Sequence, residues 1–368
     1  MRLMNDHLHE LVGKKVLVRC NFDAPIIGKK VQDATRIEDA GETLRILLEH
    51  GCKLILLAHQ DRPGGHRIEE NSLLPVVDIL EQMLGETVEF ADGLNFDIIE
   101  QLPARIVLLE NLRFWPEEEA NDDEFVNLMA QLGDFYVNEA FANCHREHAS
   151  MVGLPKKLPG FAGLHLEREV RVLSKVRNHP EHPMVVVLGG AKVETKKPLV
   201  DAFMNKADKI LVGGKIVAET KSNSSRHLGG VTPNETINKS DSSEVGPAIS
   251  RKSQAELIFA QSAPSGKDIT QESAHEFAQE ILQAKTVIWN GPMGVFEEPE
   301  FEQGTRIVAE AMDQTRAFTV VGGGDTEAAL TKFDLENNID HISSGGGAMM
   351  EFLTKGTLPG IEALGYKL

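Results

Sequence analysis

The stretch AFTVVGGGDTEAAL, residues 317–330, contains a junction between a predicted strand and a predicted helix. Its apolar run at 318–321 is typical of a buried strand, and TEAAL has the composition of a helix start. Three glycines, an acid and a hydroxyl therefore lie where a strand ends and a helix begins. A helix N-terminus presents free N–H groups and a partial positive charge, and glycine lets the backbone approach a phosphate closely. The junction predicts an anion site, although a tight turn would use the same residues.

Composition and charge narrow the class of protein. The chain has 368 residues, enough for two domains, and its 41% hydrophobic and 26% charged residues are typical of a soluble globular protein. Its formal charge of -18 argues against binding to nucleic acids or acidic membranes, so a polyanionic substrate would need a local basic cluster. The three cysteines, Cys20, Cys52 and Cys144, lack a zinc-binding spacing and indicate a reduced compartment. Because neither a signal peptide nor a membrane-spanning run is apparent, we expect a cytoplasmic protein.

Short apolar runs alternate with amphipathic stretches along both halves of the chain. In the second half, MVVVLGGAK, KILVGGK, TVIWNGPMG and FTVVGGGDT are all apolar runs that end in glycine. This alternation predicts an α/β fold with parallel sheets and helices on both faces. Ligands of such sheets bind beyond the carboxyl ends of the strands, so the four runs indicate one shared phosphate-binding crevice.

Two segments interrupt the alternation of apolar runs and amphipathic stretches. The charged helical stretch GLHLEREVRVLSKVRNHPEHP, at 163–183, ends in a proline-bearing loop and marks the joint between two domains. Residues 221–254 are rich in Ser, Asn, Lys and Gly and have little periodicity. We interpret them as a long, mobile excursion that carries no chemistry.

Cations follow the strands of the first half. They are Arg19, Arg36, His59, Arg62, Arg113 and Arg146. Taken singly, each is typical of a solvated or structurally paired side chain. Together, beyond the ends of several strands, they favour a site for an anionic small molecule with a carboxylate or phosphate. His145 and His148 lack a third ligand at a suitable spacing, so we predict no metal there.

The second half contains neither a P-loop nor a dinucleotide fingerprint. In LGGAKVETKK, the backbone at 189–191 offers N–H groups, and Lys192 and Lys196 are four residues apart. These lysines are either solvated on a first helical turn or placed to neutralise a phosphoryl group in transfer. Asp325 would suit Mg²⁺ beside phosphate oxygens, and the glycine run at 345–347 would add N–H donors.

The motifs together resemble those of phosphoglycerate kinase. VRCNFDAP, DATRI, AHQDRPGG, LLENLRF, YVNEAFANCHREHAS, LGGAKVETK, TVIWNGPMGVFE, VVGGGDT and SSGGGAMMEFL stand in the family's order. The resemblance implies two Rossmann-like domains, each a mainly parallel sheet flanked by helices, joined by a hinge helix. It places an acid-substrate domain at 1–165, the hinge helix at 166–176, a nucleotide-binding domain at 177–351 and a tail at 352–368 that packs back on the first domain. It also implies hinge closure during catalysis.

Residue by residue, the resemblance implies the following roles. The acid substrate would be bound by Asn21, Asp23, Arg36, His59, Arg62, Arg113 and Arg146. The nucleotide would be bound by Gly189, Gly190, Ala191, Lys192, Lys196, Gly213, Gly214, Asn290, Pro292, Glu297, Gly322, Gly323, Gly324, Asp325 and Thr326. Catalysis would rest on Arg36, Lys192, Lys196, Gly323 and Gly346, with Asp325 as the Mg²⁺ ligand.

The implied activity is reversible phosphoryl transfer between 1,3-bisphosphoglycerate with ADP and 3-phosphoglycerate with ATP, as in glycolysis and gluconeogenesis. The implied ligands are Mg²⁺ with ATP or ADP and small-molecule acids, and a monomer is expected. Three departures from the family pattern keep alternatives open: Asn21 and Asp23 exchange Asp and Asn, Lys215 replaces a glycine, and the stretch after Lys215 lacks the family's motifs. Asp61 in place of another glycine is a milder change. The alternatives are a non-catalytic paralogue that binds nucleotide or a partner, and a kinase for another small carboxylic acid.

Overall fold

The computed structural model describes residues 1–190, 193–214 and 254–367. Ala191, Lys192, Lys215 and almost all of the predicted excursion at 221–254 lie outside this part of the chain. The chain divides into two units. Unit 1 consists of Met1–Leu173 with Lys355–Leu368, and unit 2 of Ser174–Thr354.

Unit 1 contains eight strands among its described residues: β1 Lys15–Arg19, β2 Ile26–Ile27, β3 Lys30–Val31, β4 Lys53–Leu57, β5 Val88–Ala91, β6 Ile106–Leu109, β7 Phe135–Asn138 and β8 Gly160–Ala162. Six of them form a parallel sheet with the order β5-β6-β4-β1-β7-β8. The other two, β2 and β3, form a separate antiparallel pair. β6 is buried at every position, as expected for a parallel strand covered by helices on both faces.

Unit 2 repeats the architecture with the order β11-β10-β9-β12-β13-β14. Its described strands are β9 Met184–Leu188, β10 Lys209–Val212, β11 Glu256–Phe259, β12 Thr286–Asn290, β13 Phe318–Gly322 and β14 His341–Ser343. All neighbouring pairs are parallel. The four glycine-ended runs are therefore adjacent strands, and the prediction of parallel α/β sheets is confirmed.

Helices cover both sheets. In chain order the described helices are α1 Leu8–Leu11, α2 Thr35–Glu38, α3 Gly41–Glu49, α4 Val76–Leu84, α5 Phe96–Gln101, α6 Pro116–Ala120, α7 Asp123–Ala130, α8 Leu154–Lys157, α9 Leu164–Asn178, α10 Val193–Phe203, α11 Gln271–Gln283, α12 Gln303–Gln314, α13 Gly324–Phe333, α14 Gly346–Lys355 and α15 Pro359–Glu362. α9 contains the boundary between the two units and is longer at both ends than the predicted hinge helix at 166–176.

Each unit has its own core of strand and helix side chains. In unit 1, Val16 and Val18 of β1, Leu54 of β4 and Leu44 of α3 belong to one buried hydrophobic cluster. In unit 2, Val187 of β9 and Trp289 of β12 belong to the corresponding cluster. In parallel sheets covered by helices, ligands bind beyond the carboxyl ends of the strands, so we expect the site there.

Candidate active site

Arg19 is the buried centre of the basic cluster in unit 1. It is the last residue of β1, and its side chain is 0% exposed. Its Nε donates to Ser150 Oγ at 2.8 Å, its Nη1 donates to the carbonyl of Cys20, and its Nη2 lies 3.1 Å from His59 Nδ1. Each of its three nitrogens therefore has a fixed partner. A buried guanidinium held in this way is a permanent charge at the carboxyl end of the sheet.

His59 follows β4 and is almost completely buried. Burial is the main cause that lowers its pKa well below the usual value, and the charge of Arg19 is the next cause. Both effects disfavour the imidazolium because it would be a second cation in a desolvated place. His59 is therefore neutral at physiological pH, and it contributes hydrogen bonds to the cluster rather than charge.

Asp23 lies among the cations of unit 1. Its Oδ2 is 3.8 Å from Arg36 Nη1 and 3.9 Å from His59 Nε2, and its Oδ1 accepts the backbone N–H of Asp61 at 2.9 Å. Arg36 Nη1 also donates to the backbone carbonyl of Asp23 at 2.6 Å. Two of the departures from the family pattern, Asp23 and Asp61, are thus joined by a hydrogen bond. Asn21 Nδ2 is buried and has no hydrogen-bond partner within the described residues.

The remaining predicted cations of unit 1 differ in how closely they join this cluster. Arg113 is 5% exposed and donates from Nη1 to the carbonyl of Asp61 at 2.8 Å. Burial lowers its pKa to about 10, and the charge of Arg19 adds to the effect. Arg146 lies near enough to lower the pKa of Arg113 as well. Arg62 is exposed, and no hydrogen bond or ion pair in the described part of the chain joins it to the others.

In unit 2, glycines allow the loops after β9, β10 and β12 to touch. A Cβ on Gly189 would lie 2.3 Å from the carbonyl oxygens of Gly291 and Pro292, and one on Gly214 would lie 2.7 Å from the nitrogen of Gly190. The Gly190 N–H donates to the Pro292 carbonyl at 2.8 Å. Gly213 has a different reason to be glycine, because its Cβ would meet Met293 Sδ at 2.5 Å. Backbone packing thus accounts for these glycines independently of any ligand.

Two glycine-rich helix starts lie side by side in unit 2. Gly323, with a φ of +108°, ends the turn between β13 and α13. A Cβ on Gly346, at the start of α14, would lie 2.4 Å from the Gly323 Cα. Gly324 and Gly347, the next residues of each helix, have open space where a Cβ would stand. The N-termini of α13 and α14 therefore present free N–H groups to one place, as an anion site requires.

Asn290 and Thr326 tie this place to β12. Asn290 Nδ2 donates to the Gly322 carbonyl at 2.5 Å, and its Oδ1 accepts from Lys196 Nζ. Thr326 is 0% exposed, and its hydroxyl accepts the Gly291 N–H at 2.8 Å. The Thr326 hydroxyl therefore binds the loop after β12, while Asn290 is hydrogen-bonded both to the glycine turn and to Lys196.

Lys196, on α10, is a buried cation beside this place in unit 2. It is 9% exposed, and burial lowers its pKa to about 8, although the charge of Asp325 raises the pKa. Asp325 is exposed in the first turn of α13. Met350 on α14, which sequence reasoning missed, lies with its Sδ 3.5 Å from Lys196 Nζ. Glu297 is exposed on the loop after β12.

Sequence reasoning also missed the polar residues that support the basic cluster. Glu118, Ser150, Asn143 and Gln60 are all buried, and each contacts a residue of that cluster or the loop beside it. Asn143 lies in the segment YVNEAFANCHREHAS that carried part of the resemblance, but its position gave no indication of a contact with His59. Buried partners of this kind are set by the fold and have no local sequence pattern.

The fold and the residues at the strand ends together indicate a class of enzyme. A parallel α/β unit with a cluster of arginines, followed by one with adjacent glycine-rich helix starts beside a buried lysine, is typical of a phosphotransferase acting on a small anionic acid. The family model "Phosphoglycerate kinase" matches residues 5–244 and 231–356. This chain belongs to the phosphoglycerate kinase family.

Individual relatives agree with the family match. The chain is 40% identical to the phosphoglycerate kinase of Thermus thermophilus, covering 96% of this chain and 97% of the relative. It is 37% identical to that of Dictyoglomus turgidum, with 96% of both chains covered. The solved phosphoglycerate kinase of Coxiella burnetii matches with a TM-score of 0.76 and 30% identity, over 96% of this chain and 97% of that one. That of Pyrococcus horikoshii matches with a TM-score of 0.81 and 26% identity, over 99% and 98%.

The chain is accordingly a phosphotransferase of glycolysis with a carboxyl group as acceptor. Its family binds small-molecule substrates and uses ATP and ADP. The described helices include none with the length and apolar character that a membrane crossing requires.

Proposed function

We propose that this chain binds 3-phosphoglycerate in unit 1 and a magnesium nucleotide in unit 2, and transfers the γ-phosphoryl group of ATP to the acid reversibly. The observation that carries the proposal is the approach of the α13 and α14 N-termini beside Lys196, with Gly346 against Gly323. Free N–H groups and one buried ammonium suit a group whose charge is spread over three equatorial oxygens during transfer.

The acid would be held by the cations of unit 1. Arg36 and Arg113 carry charge at neutral pH and can each form two parallel hydrogen bonds with a carboxylate or phosphate. His59 is neutral and would donate a hydrogen bond. Arg62 and Arg146 would extend the site, because Arg146 is near enough to lower the pKa of Arg113.

The transfer itself needs no protein nucleophile. The carboxylate oxygen of 3-phosphoglycerate attacks the γ-phosphorus, the bond from that phosphorus to the bridging oxygen of ADP breaks, and an acyl phosphate forms. Lys196 and the N–H groups at Gly323, Gly324 and Gly346 would stabilise the charge in the transition state. Lys192 would assist as a second cation. Fixed donors of this kind act without reorganisation, which is why positioning accounts for most of the catalysis.

The donor set of unit 2 fits Mg²⁺ held mainly by the nucleotide. Asp325 is an exposed carboxylate at the start of α13 and near Lys196. Within the described residues no group of three His, Cys, Asp or Glu side chains could hold a metal by itself. Mg²⁺ is usually bound by one or two carboxylates together with phosphate oxygens and water. The ion would supply neutralisation of the phosphate charge, and Asp325 would hold it.

The test is ATP consumption that depends on 3-phosphoglycerate and Mg²⁺, in an assay that removes 1,3-bisphosphoglycerate as it forms. We expect turnover in the natural protein and a loss of at least about a hundredfold in kcat/KM for Arg36→Ala and for Lys196→Ala. Arg45→Ala on α3 and Lys267→Ala, both at exposed positions, are matched controls that should keep full activity. Full activity in either site variant would refute the role given to that residue.

A second candidate is a kinase for another small carboxylic acid. The observation in its favour is the Asp23 carboxylate among the cations, because it would repel one anionic group of the substrate. The same assay with a panel of small acids separates the two functions. A higher kcat/KM for an acid with fewer negative charges would favour this candidate, and a preference for 3-phosphoglycerate would exclude it. The cytoplasmic location, the monomeric state and hinge closure remain predictions.

A further inference from the structure

The contact between Arg19 and His59 determines which imidazole nitrogen carries the proton. Arg19 Nη2 lies 3.1 Å from His59 Nδ1, and both side chains are buried. A guanidinium has only N–H donors and no lone pair that could accept a hydrogen bond. Nδ1 must therefore accept, and the proton of a neutral imidazole must be on Nε2.

The other nitrogen faces the substrate side of the cluster. His59 Nε2 is 3.9 Å from Asp23 Oδ2 and 3.4 Å from an amide atom of Asn143 that is assigned as Nδ2. With a proton on Nε2 that assignment would put two donors together, so we expect the Asn143 amide to be rotated with its oxygen toward His59. The rotation also replaces a buried carbonyl oxygen that has no partner in the described residues with an N–H group.

Arg19 is itself oriented from behind by a buried carboxylate. Its Nε donates to Ser150 Oγ at 2.8 Å, and the Ser150 hydroxyl donates to Glu118 Oε1 at 2.5 Å. The Ser150 backbone N–H donates to Glu118 Oε2 at 2.9 Å. All three residues are 0% exposed. Their hydrogen bonds run in one direction, from Arg19 through the hydroxyl to the carboxylate, so the guanidinium cannot turn without leaving Glu118 poorly compensated.

We propose that Arg19 is a positioning residue which, held by Ser150 and Glu118, keeps His59 as the neutral Nε2–H tautomer. In this form the Nε2–H group of His59 faces the Asn143 amide oxygen in the free protein, and it is the donor that His59 can offer to the bound acid. The part of the proposal that concerns the acid rests on the proposed function, whereas the tautomer is a property of the free protein. A neutral donor suits this site because Arg36, Arg113 and Arg19 already bring charge that an imidazolium would oppose.

The test is a long-range ¹H–¹⁵N correlation spectrum of the full-length protein labelled with ¹⁵N at histidine, without substrate. A His59→Gln protein identifies the His59 signals. We expect the Nε2–H pattern in the natural protein at pH 7. An Nδ1–H pattern or an imidazolium would overturn the proposal.

Ser150→Ala is the informative variant, because it keeps both buried charges and removes only the hydroxyl between them. We expect a mixture of His59 tautomers and a KM for 3-phosphoglycerate that rises about tenfold with kcat little changed, as expected for the loss of one hydrogen bond. An unchanged tautomer in Ser150→Ala would refute the role of the hydrogen bonds from Arg19 through Ser150 to Glu118.

Two variants of Arg19 test the arginine itself. Arg19→Lys retains an N–H donor and should keep the Nε2–H pattern of His59, whereas Arg19→Met should lose it. If Arg19→Met fails to fold, the double variant Arg19→Met/Glu118→Gln removes both charges and replaces it.

If the protein shows no turnover with 3-phosphoglycerate, the KM of Ser150→Ala cannot be measured, but the ¹H–¹⁵N spectrum still determines the tautomer of His59. The failure of the proposed function and the failure of this inference can therefore be told apart.

Discussion

The candidate anion sites of the two units are built by different physical means. In unit 1 the candidate binding groups are side chains, with Arg36 and His59 beside the carboxylate of Asp23 and Arg113 on the carbonyl of Asp61. In unit 2 they are mostly backbone N–H groups at the starts of α13 and α14, with Lys196 as the buried cation among the described residues. A site made of charges can be adjusted by substituting one side chain. A site made of backbone depends on glycine and tolerates almost no added atom.

The two designs also need different supports. Unit 1 compensates its buried charge with Glu118 through Ser150, since an uncompensated guanidinium in the core would be costly. Unit 2 has little charge to compensate and relies instead on close contact between loops, such as that of Gly189 with Gly291. We therefore expect unit 2 to be sensitive to volume and unit 1 to be sensitive to charge.

The largest effect should come from a single methyl group in unit 2. In Gly346→Ala the new Cβ would lie 2.4 Å from the Gly323 Cα, so the two helix starts must separate. We expect a loss of about 2 kcal/mol in the free energy of unfolding and a loss of at least about a hundredfold in kcat/KM. Gly347→Ala is the matched control for stability, because its Cβ enters open space. Equal melting temperatures for the two variants would show that the close approach of Gly346 to Gly323 leaves room for a methyl group.

A smaller effect should come from the proton on Lys196. Burial lowers the pKa of the free protein's Lys196 to about 8, whereas bound phosphates favour the charged form. Nucleotide affinity should therefore fall about tenfold between pH 8 and pH 9.5 as the ammonium is lost. Calorimetry across this range, with Lys196→Arg as a variant that stays charged, provides the check. A fall of the same size in Lys196→Arg would assign the titration to another group.

The same pKa predicts how the stability of the ligand-free protein changes with pH. The pKa of Lys196 is lower in the folded protein than in the unfolded chain, so the unfolded chain binds more protons between about pH 8 and pH 10.5. The Lys196 contribution to the free energy of unfolding should therefore rise over this range. Urea unfolding of the natural protein and of Lys196→Met measures it, and a contribution that falls with pH would contradict the assignment.

In unit 1, removing the negative charge of Asp23 should improve binding of the acid. Asp23→Asn removes a carboxylate 3.8 Å from Arg36 but keeps an oxygen that can accept the Asp61 N–H. The KM for 3-phosphoglycerate should fall about fivefold with kcat little changed, because the cluster becomes more positive. Asp78→Asn, at an exposed position of α4, is the control. A higher KM in Asp23→Asn would mean that the acid itself needs this carboxylate.

The smallest effect is expected at the edge of the basic cluster. Arg62 is exposed, and its charge is screened by water. Arg62→Ala should leave the melting temperature unchanged and raise the KM for the acid about threefold. A loss as large as that of Arg36→Ala would place Arg62 at the centre of the acid site and not at its edge.

The sequence was informative where structure is local. The apolar runs predicted β9, β10, β12 and β13, since a buried parallel strand is recognisable from its own residues. The glycines that end these strands were equally visible. The reason for two of them was not predictable: the nucleotide contacts stay a prediction, whereas the structure shows that Gly189 and Gly214 allow loops to meet.

The supporting residues were beyond prediction from sequence because they are joined across long separations. Arg19 and Ser150 are 131 positions apart, and Lys196 and Asn290 are 94 apart. No periodicity connects such pairs. The α/β alternation, the candidate anion-binding residues at the strand ends and the family can all be predicted from the residues alone. The tertiary structure is needed to know which polar groups are buried together, and hence the charge state and orientation of His59 and Lys196, because these depend on strand order and desolvation.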